Sequence, residues 1–296
     1  MTQLRAPRIV VCGKGWLACN ALSYLYDLRQ ATLLRRDLAA VPVHGDTGRD
    51  SWEPSLRAVC TQLTVRTFDS VADVRLQAVD LLFSLQYDRI IRLAELNGAR
   101  AFNLHFSALP DYRGCYPSMW PIRNGETQVG VSLHVLTAGI DDGDIVDQQR
   151  YDLPRFTSAL DLYARHHAHG YEVFKRSLPA ILAQQERPRP QSPGQSRYFD
   201  RGSIDFQQTE LGNHRLRSSR DCVGFLKSFI FPPFQLPTVH GRRVIDAESV
   251  TWPIDLEQLA AMPDIVSETP ASALLACRDG LIRVRFETPA QGSNRI

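Results

Sequence analysis

The sequence has no apolar stretch near the roughly 18 uninterrupted residues a membrane-spanning helix needs, and its first residues carry no apolar signal core. The expectation is a soluble protein, working in the cytoplasm where it is made, with no membrane partner. No internal repeat is present. Six cysteines (Cys12, Cys19, Cys60, Cys115, Cys222, Cys277) are scattered without a C-x-x-C pair, and Cys12 lies inside an apolar strand pattern. In a chain this long they read as small buried hydrophobes in a reducing compartment, which argues against a structural zinc or a disulfide framework. Net charge is also scarce, +2 from 34 basic and 32 acidic residues, so nothing global demands nucleic acid or an anionic membrane. Lysine is nearly missing: Lys14, Lys175 and Lys227 are the only three, and the remaining basic charge is arginine.

What is there is ordinary globular material, 44% hydrophobic and 22% charged, in 296 residues that suit one large domain plus a smaller one. Strand and helix alternate over the first 150 residues. Arg8–Cys12 reads as a buried strand, followed by Gly13-Lys14-Gly15 and a helical spacing of Leu17, Ala21, Leu25 and Leu28 over Trp16–Arg29. Ala31–Leu34, Leu81–Leu85 and Ala101–Phe106 read as further strands. This alternation predicts an α/β fold with a doubly wound, mostly parallel, Rossmann-like sheet. Val129–Val135 and Ile145–Tyr151 read as antiparallel strands flanking the loop Thr137–Asp144. Ser158 and Asp161 then form a capping box for a helix reaching about Ala183. The expected catalytic domain is residues 1–186. A proline-rich linker follows at 187–197, then a small, mainly β C-terminal domain at 198–296. In that domain Arg278-Asp279-Gly280 marks a hairpin, and Ile282, Val284 and Phe286 alternate with Arg283 and Arg285.

Two segments carry chemistry. In Phe102-Asn103-Leu104-His105-Phe106-Ser107-Ala108-Leu109-Pro110, strand alternation puts Asn103 and His105 on one face. A central parallel strand is normally apolar on both faces, and ligands bind beyond the carboxyl ends of such strands. Taken alone, the pair is equally consistent with a satisfied polar couple in the core. Gly139-Ile140-Asp141-Asp142-Gly143-Asp144 is by itself a turn-like loop, lacking the alternating ligands and closing Glu of an EF-hand.

Together the segments are far more specific. Asn-x-His-x-Ser-x-Leu-Pro is followed by Tyr112-Arg113-Gly114, Asn124-Gly125-Glu126, Gly130-Val131-Ser132-Leu133-His134 and Gly139-Ile140-Asp141-x-Gly143-Asp144. In this order, with 38 residues from Asn103 to Asp141, the pattern resembles the folate-dependent formyltransferases, strongly over residues 80–180 and weakly beyond 200. The resemblance implies 10-formyltetrahydrofolate as formyl donor and catalytic roles for three residues. Asn103 would hydrogen-bond the formyl oxygen, His105 would stabilise the developing oxyanion or move protons, and Asp141 would tune His105 and relay the amine's proton. Amine attack on a formamide creates an alkoxide and releases a proton, so it needs a preorganised donor and a His–Asp couple, with no metal or covalent nucleophile. Ser107 lacks the Gly-x-Ser-x-Gly elbow of a nucleophile.

The family's folate-contacting segment falls on Gln86, Tyr87, Asp88 and Ile90. With Thr137, Gly139, Ile140 and Asp144 they would line the pterin pocket, a reading preferred here to an ordinary strand-to-helix turn. On the acceptor side the resemblance points to Gly13, Lys14, Gly15 and Trp16, with Ser107, Arg113 and Tyr116 near the catalytic strand. The glycine loop also fits G-x-G-x-x-A, and with Arg35-Arg36 it raises an NADP-dependent oxidoreductase as a reading from another class. His166, His167 and His169 invite a metal reading, but without a nearby carboxylate or cysteine they read as packing histidines. The run Tyr112–Ile122 and the opening Gly13–Ala18 look most like formyltransferases acting on nucleotide-linked amino sugars. Those members usually use thymidine-diphosphate 3- or 4-amino-6-deoxyhexoses for surface polysaccharide such as lipopolysaccharide O-antigen, and commonly pair as homodimers. Methionyl-tRNA and small amine or hydroxylamine acceptors are the alternatives. Residues 197–296 hold 12 basic and 12 acidic side chains, a neutral balance that disfavours tRNA.

Overall fold

The computed structural model describes residues 6–155, 157–192, 196–232, 234–253 and 255–288. Strand β1 (Arg8–Gly13) enters helix α1 (Gly15–Gln30), and the chain then forms β2 (Asp37–Pro42), α2 (Leu56–Gln62), β3 (Arg66–Thr67), the single turn α3 (Val71–Val74) and β4 (Leu81–Leu85). The turn α4 (Leu93–Leu96), β5 (Arg100–His105), β6 (Arg113–Gly114), the turn α5 (Trp120–Arg123), β7 (Gln128–Val135), β8 (Ile145–Asp152) and α6 (Ala159–Leu182) follow. A seven-stranded sheet runs in the order β3-β2-β1-β4-β5-β7-β8, parallel from β3 to β5 and antiparallel at β5–β7. Strand order reverses at β1, so the crevice between the ends of β1 and β4 is a topological switch point. There Gly13 is required by close approach: a Cβ on it would lie 1.8 Å from the carbonyl oxygen of Leu85.

One expected strand is corrected. Ala31–Leu34 is not extended; it is the turn that ends α1, where the Leu28 carbonyl accepts from the N–H groups of Leu33 and Leu34 and Thr32 has φ 60°. The second strand begins at Asp37 and is buried from Leu38 onward. The capping box at Ser158 is present. Its hydroxyl accepts from the Asp161 N–H at 3.2 Å, and the Asp161 carboxylate accepts from the Ser158 N–H at 3.0 Å.

The described residues form two compact units. The first is drawn from Met1–Gly114, Gly130–Arg150 and Arg165–Tyr198; the second from Cys115–Val129, Tyr151–Ala164 and Phe199–Ile296. The sequence-based boundary at 187–197 differs from this division, because Met119, Ile122, Val129, Leu153, Ala159 and Leu162 join the apolar cluster of the later residues. Residues 193–195 of the expected linker lie outside the described residues. After β9 (Tyr198–Phe199), the second unit continues with α7 (Ser219–Phe229), β10 (Thr238–Val239), β11 (Arg242–Val250), α8 (Leu256–Ala261), β12 (Ile265–Glu268), β13 (Ser272–Ala276) and β14 (Leu281–Phe286). The last five strands make an antiparallel sheet, order β10-β11-β14-β13-β12. Cys222, Phe225, Leu226 and Phe229, at helical spacing on α7, pack with Val244, Ile282, Val284 and Phe286. Four arginines of this sheet lie beside carboxylates: Arg283 with Glu248, Arg285 with Asp246, Arg243 with Glu287 and Arg242 with Glu268.

Candidate active site

Strand β5 carries Asn103 and His105 on one face, and register sets His134 of β7 opposite Asn103 and Ser132 opposite His105. Asp141 comes from the loop beyond β7, in the left-handed region at φ 52°. One carboxylate ties these groups together. Asp141 Oδ1 accepts from Asn103 Nδ2 at 3.1 Å and lies 3.4 Å from His134 Nε2. Asp141 Oδ2 accepts from the Gly114 N–H at 2.8 Å and lies 3.4 Å from His105 Nδ1. The other His105 nitrogen, Nε2, is 2.7 Å from the Tyr112 carbonyl. Both His105 nitrogens therefore face oxygen atoms, one of the Tyr112 carbonyl and one of the Asp141 carboxylate.

His134 differs. Its Nδ1 lies 2.9 Å from the Val135 carbonyl, and its Nε2 is 3.1 Å from Asn103 Nδ2. The Asn103 amide nitrogen thus lies between two partners, His134 Nε2 and Asp141 Oδ1. Burial alone would push the Asp141 carboxyl up. The adjacent His105 charge, the His134 hydrogen bond and the Gly114 N–H together outweigh it and hold the group well below the usual carboxylate range.

The other sequence-derived residues are distributed as follows. Gln86 follows β4 at φ 63°, and Tyr87 packs on an apolar cluster of Ile91, Leu96 and Ala101 that Leu136 also joins. Ile90 and Ile140 leave apolar side chains open to solvent, 78% and 44% exposed. The Thr137 hydroxyl donates to Asp142, and the Asp144 carbonyl accepts from the Val135 N–H. The Ser107 hydroxyl donates to the Asp111 carbonyl at 2.7 Å, closing the turn after β5. Arg113 donates to Gln191 at 2.7 Å. Tyr116 belongs to the second unit, its hydroxyl 3.3 Å from the Arg201 carbonyl.

At the glycine loop, Lys14 lies 3.4 Å from the buried carboxylate of Glu53, which also approaches His167 at 3.6 Å. Gly15, at φ +65°, lies against that carboxylate; a Cβ there would meet Glu53 Oε1 at 2.4 Å. Burial, with Lys14 adding repulsion, pushes the His167 pKa down to about 3, so the ring stays neutral and accepts the Leu17 N–H at 3.1 Å. Trp16 meets Trp52 and His167 edge-on at 5.9 and 5.8 Å. His166 stacks on Phe106, and His169 lies 2.9 Å from Gln149; among the described residues no cluster of His, Cys, Asp and Glu could hold a metal ion.

Sequence reasoning quoted His134 in the motif without giving it a role, and missed Gln191 and Glu53. His134 was legible in principle, since it alternates with Gly130 and Ser132 on one face of a strand. Gln191 and Glu53 lie in irregular segments that announce nothing.

Comparison with known proteins identifies the family. The formyl transferase family model matches residues 57–178. The chain is 30% identical over 233 residues, 72% of either protein, to the methionyl-tRNA formyltransferase of Myxococcus xanthus strain DK1622. Its structure is similar to WlaRD, a sugar 3-N-formyltransferase crystallised in the presence of dTDP and 5-N-formyl-THF (TM-score 0.85, 26% identity, 97% of this chain and 100% of that one). It is also similar to an N-formyltransferase from Helicobacter canadensis, in complex with folinic acid and dTDP-3-aminofucose (TM-score 0.83, 26% identity, 95% and 100%). With the Asn, His and Asp of the motif gathered on one carboxylate, the chain belongs to the folate-dependent formyltransferase family.

Proposed function

We propose that this protein transfers the formyl group of 10-formyltetrahydrofolate to the amine of a nucleotide-linked amino-deoxy sugar of the thymidine-diphosphate 3- or 4-amino-6-deoxyhexose type. The observation that carries the chemistry is the single carboxylate of Asp141 holding both Asn103 and His105. The folate supplies the formyl carbon; the protein supplies donors, orientation and a route for one proton. Asn103 and His105 present N–H groups to the oxygen that gains charge as the amine attacks. To donate there, Asn103 turns one hydrogen away from His134 and keeps the charge-assisted bond to Asp141. Asp141 keeps His105 oriented and relays the proton the amine loses, which ends on N10 of tetrahydrofolate as the bond from the formyl carbon to N10 breaks.

Gln86, Tyr87, Asp88 and Ile90, with Thr137, Gly139, Ile140 and Asp144, are assigned to the folate. Gly13, Lys14, Gly15 and Trp16, with Ser107, Arg113 and Tyr116, are assigned to the acceptor. The sugar reading is supported by the similarity to two dTDP-associated enzymes along nearly the whole chain. It fits too the pairing of four arginines of the C-terminal sheet with carboxylates, which lowers the positive charge that face offers a phosphate backbone. Transfer to methionyl-tRNA is the second reading, favoured by the relative that shares 30% of its residues. A panel of nucleotide-linked amino sugars, offered with formyl-tetrahydrofolate and followed by mass spectrometry, decides. A product heavier by one formyl group in place of hydrogen supports the sugar reading. Formylation of methionyl-tRNA alone, lost steeply with salt, would replace it.

Lys14→Ala is expected to raise KM for the nucleotide sugar about tenfold while sparing that for the folate, because Lys14 exchanges Glu53 for the diphosphate. Equal effects on both constants would remove Lys14 from the acceptor site. No described helix is long and apolar enough to cross a membrane; a cytoplasmic location is proposed from the folate donor and nucleotide-sugar acceptor assigned above. A homodimer is expected, and a monomeric mass by light scattering at micromolar concentration would dispose of it.

A further inference from the structure

The proline-rich stretch after α6 reads in the sequence as a linker, yet it reaches the catalytic loop. Gln191 Nε2 donates to the carbonyl of Asp141 at 2.8 Å and to the carbonyl of Gly143 at 2.8 Å. Its Oε1 accepts from Arg113 Nη2 at 2.7 Å. Two hydrogens and one carbonyl are all an amide has in ordinary use, and each has a partner here. The reverse orientation would set an oxygen against two carbonyl oxygens, which fixes the assignment. Asp141 sits in a left-handed conformation that residues with a side chain seldom adopt, so its loop needs holding from outside. Gln191 grips the backbone of Asp141 and of the residue two further on. On the other side the Gly114 N–H, next to Arg113, grips the Asp141 carboxylate at 2.8 Å. The stretch is itself anchored by paired backbone hydrogen bonds between Arg189 and Ile145, at 2.8 and 3.0 Å, and by the Arg113 N–H on the Arg197 carbonyl at 2.9 Å.

We propose that Gln191 is a positioning residue for the transfer reaction: its two N–H groups lock the Asp141–Gly143 backbone and so aim the carboxylate at Asn103 and His105. This rests on the reading of Asp141 as the reacting-site carboxylate. Gln191→Ala is expected to lower kcat about 10- to 100-fold, the scale of a misplaced reacting group, with KM for acceptor and folate within about twofold. The pH profile of kcat is expected to shift, since the Asp141–His105 pairing changes.

Gln191→Glu discriminates the cause. A carboxylate pairs with Arg113 at least as well as the amide does, but has no hydrogen for the two carbonyls and repels them. Its kcat is expected to fall as far as in Gln191→Ala. In an Asp141→Asn background, Gln191→Ala is expected to cost nothing more, because both changes act on one group. Near wild-type kcat in Gln191→Glu overturns the proposal, as does a full additional loss in the Asp141→Asn background. Should Gln191→Ala fail to fold, the glutamate variant and its pH profile decide alone. If Asp141→Asn itself keeps wild-type turnover, the catalytic reading of Asp141 has failed, whatever Gln191 does.

Discussion

Replacing His105 or Asn103 with alanine is expected to lower turnover by about 10²–10³, the range seen when one oxyanion donor is removed, equivalent to about 3–4 kcal/mol. The two residues share a face of β5 and point into the same site, but they lose different things. His105→Ala removes the ring bridging the Tyr112 carbonyl and the Asp141 carboxylate, leaving that carboxylate without its adjacent charge. Asn103→Ala removes an amide that donates to Asp141 and to His134. Neither side chain belongs to the apolar core, so circular dichroism and melting are expected to report an intact fold. The effect should fall on kcat with KM nearly unchanged, because the donors act on charge that exists only during transfer. A folded variant within tenfold of wild-type turnover would remove that residue from oxyanion stabilisation.

Asp141→Asn is expected to be comparably damaging, by about 10² or more. Asparagine keeps the shape but not the charge, and its amide nitrogen cannot replace both carboxylate oxygens that now face Gly114, Asn103 and two histidines. Asp142→Asn should be mild, because that carboxylate accepts from the Thr137 hydroxyl at the loop surface. Should Asp142 prove essential and Asp141 dispensable, the roles in the loop would be reversed. Stability carries a second signature. The Asp141 carboxyl is held below its unfolded value, so its contribution is fully present above the ordinary carboxylate pKa, about 4, and is lost as pH falls toward the folded value. The stability gap between wild type and Asp141→Asn should therefore be widest at neutral pH and close on acidification; a gap that widens in acid would contradict the buried-anion description.

That Asn103 and His105 share a face was legible from strand alternation, whereas their link to Asp141 was legible only from the resemblance of the whole motif order to the formyltransferases. The parallel sheet was legible from apolar runs, except at Ala31–Leu34. There an apolar tetrapeptide ends a helix, and only the left-handed Thr32 separates a capping turn from a strand. Helix α7 was missed because Ser219–Phe229 is short and its apolar face is recognisable only beside the sheet it covers. Glu53 and Gln191 could not be found at all. Each acts through contacts with residues far away in sequence, Gln191 at 48 and 50 positions from the carbonyls it holds. In the C-terminal sheet the neutral balance has a local counterpart at Arg242, Arg243, Arg283 and Arg285, each beside a carboxylate.

The path of the chain through the second unit constrains how this family can diversify. Cys115–Val129 and Tyr151–Ala164 contribute to that unit before the catalytic unit has been completed, and their apolar side chains fill the same cluster as α7 and the five-stranded sheet. A recombination event that grafted a foreign C-terminal region at residues 187–197 would strand Met119, Ile122, Val129, Leu153 and Leu162 against an unmatched surface. The C-terminal unit is therefore not a cassette. Exchange between relatives has to carry all three segments together, so this half of the molecule should evolve by drift in place rather than by shuffling.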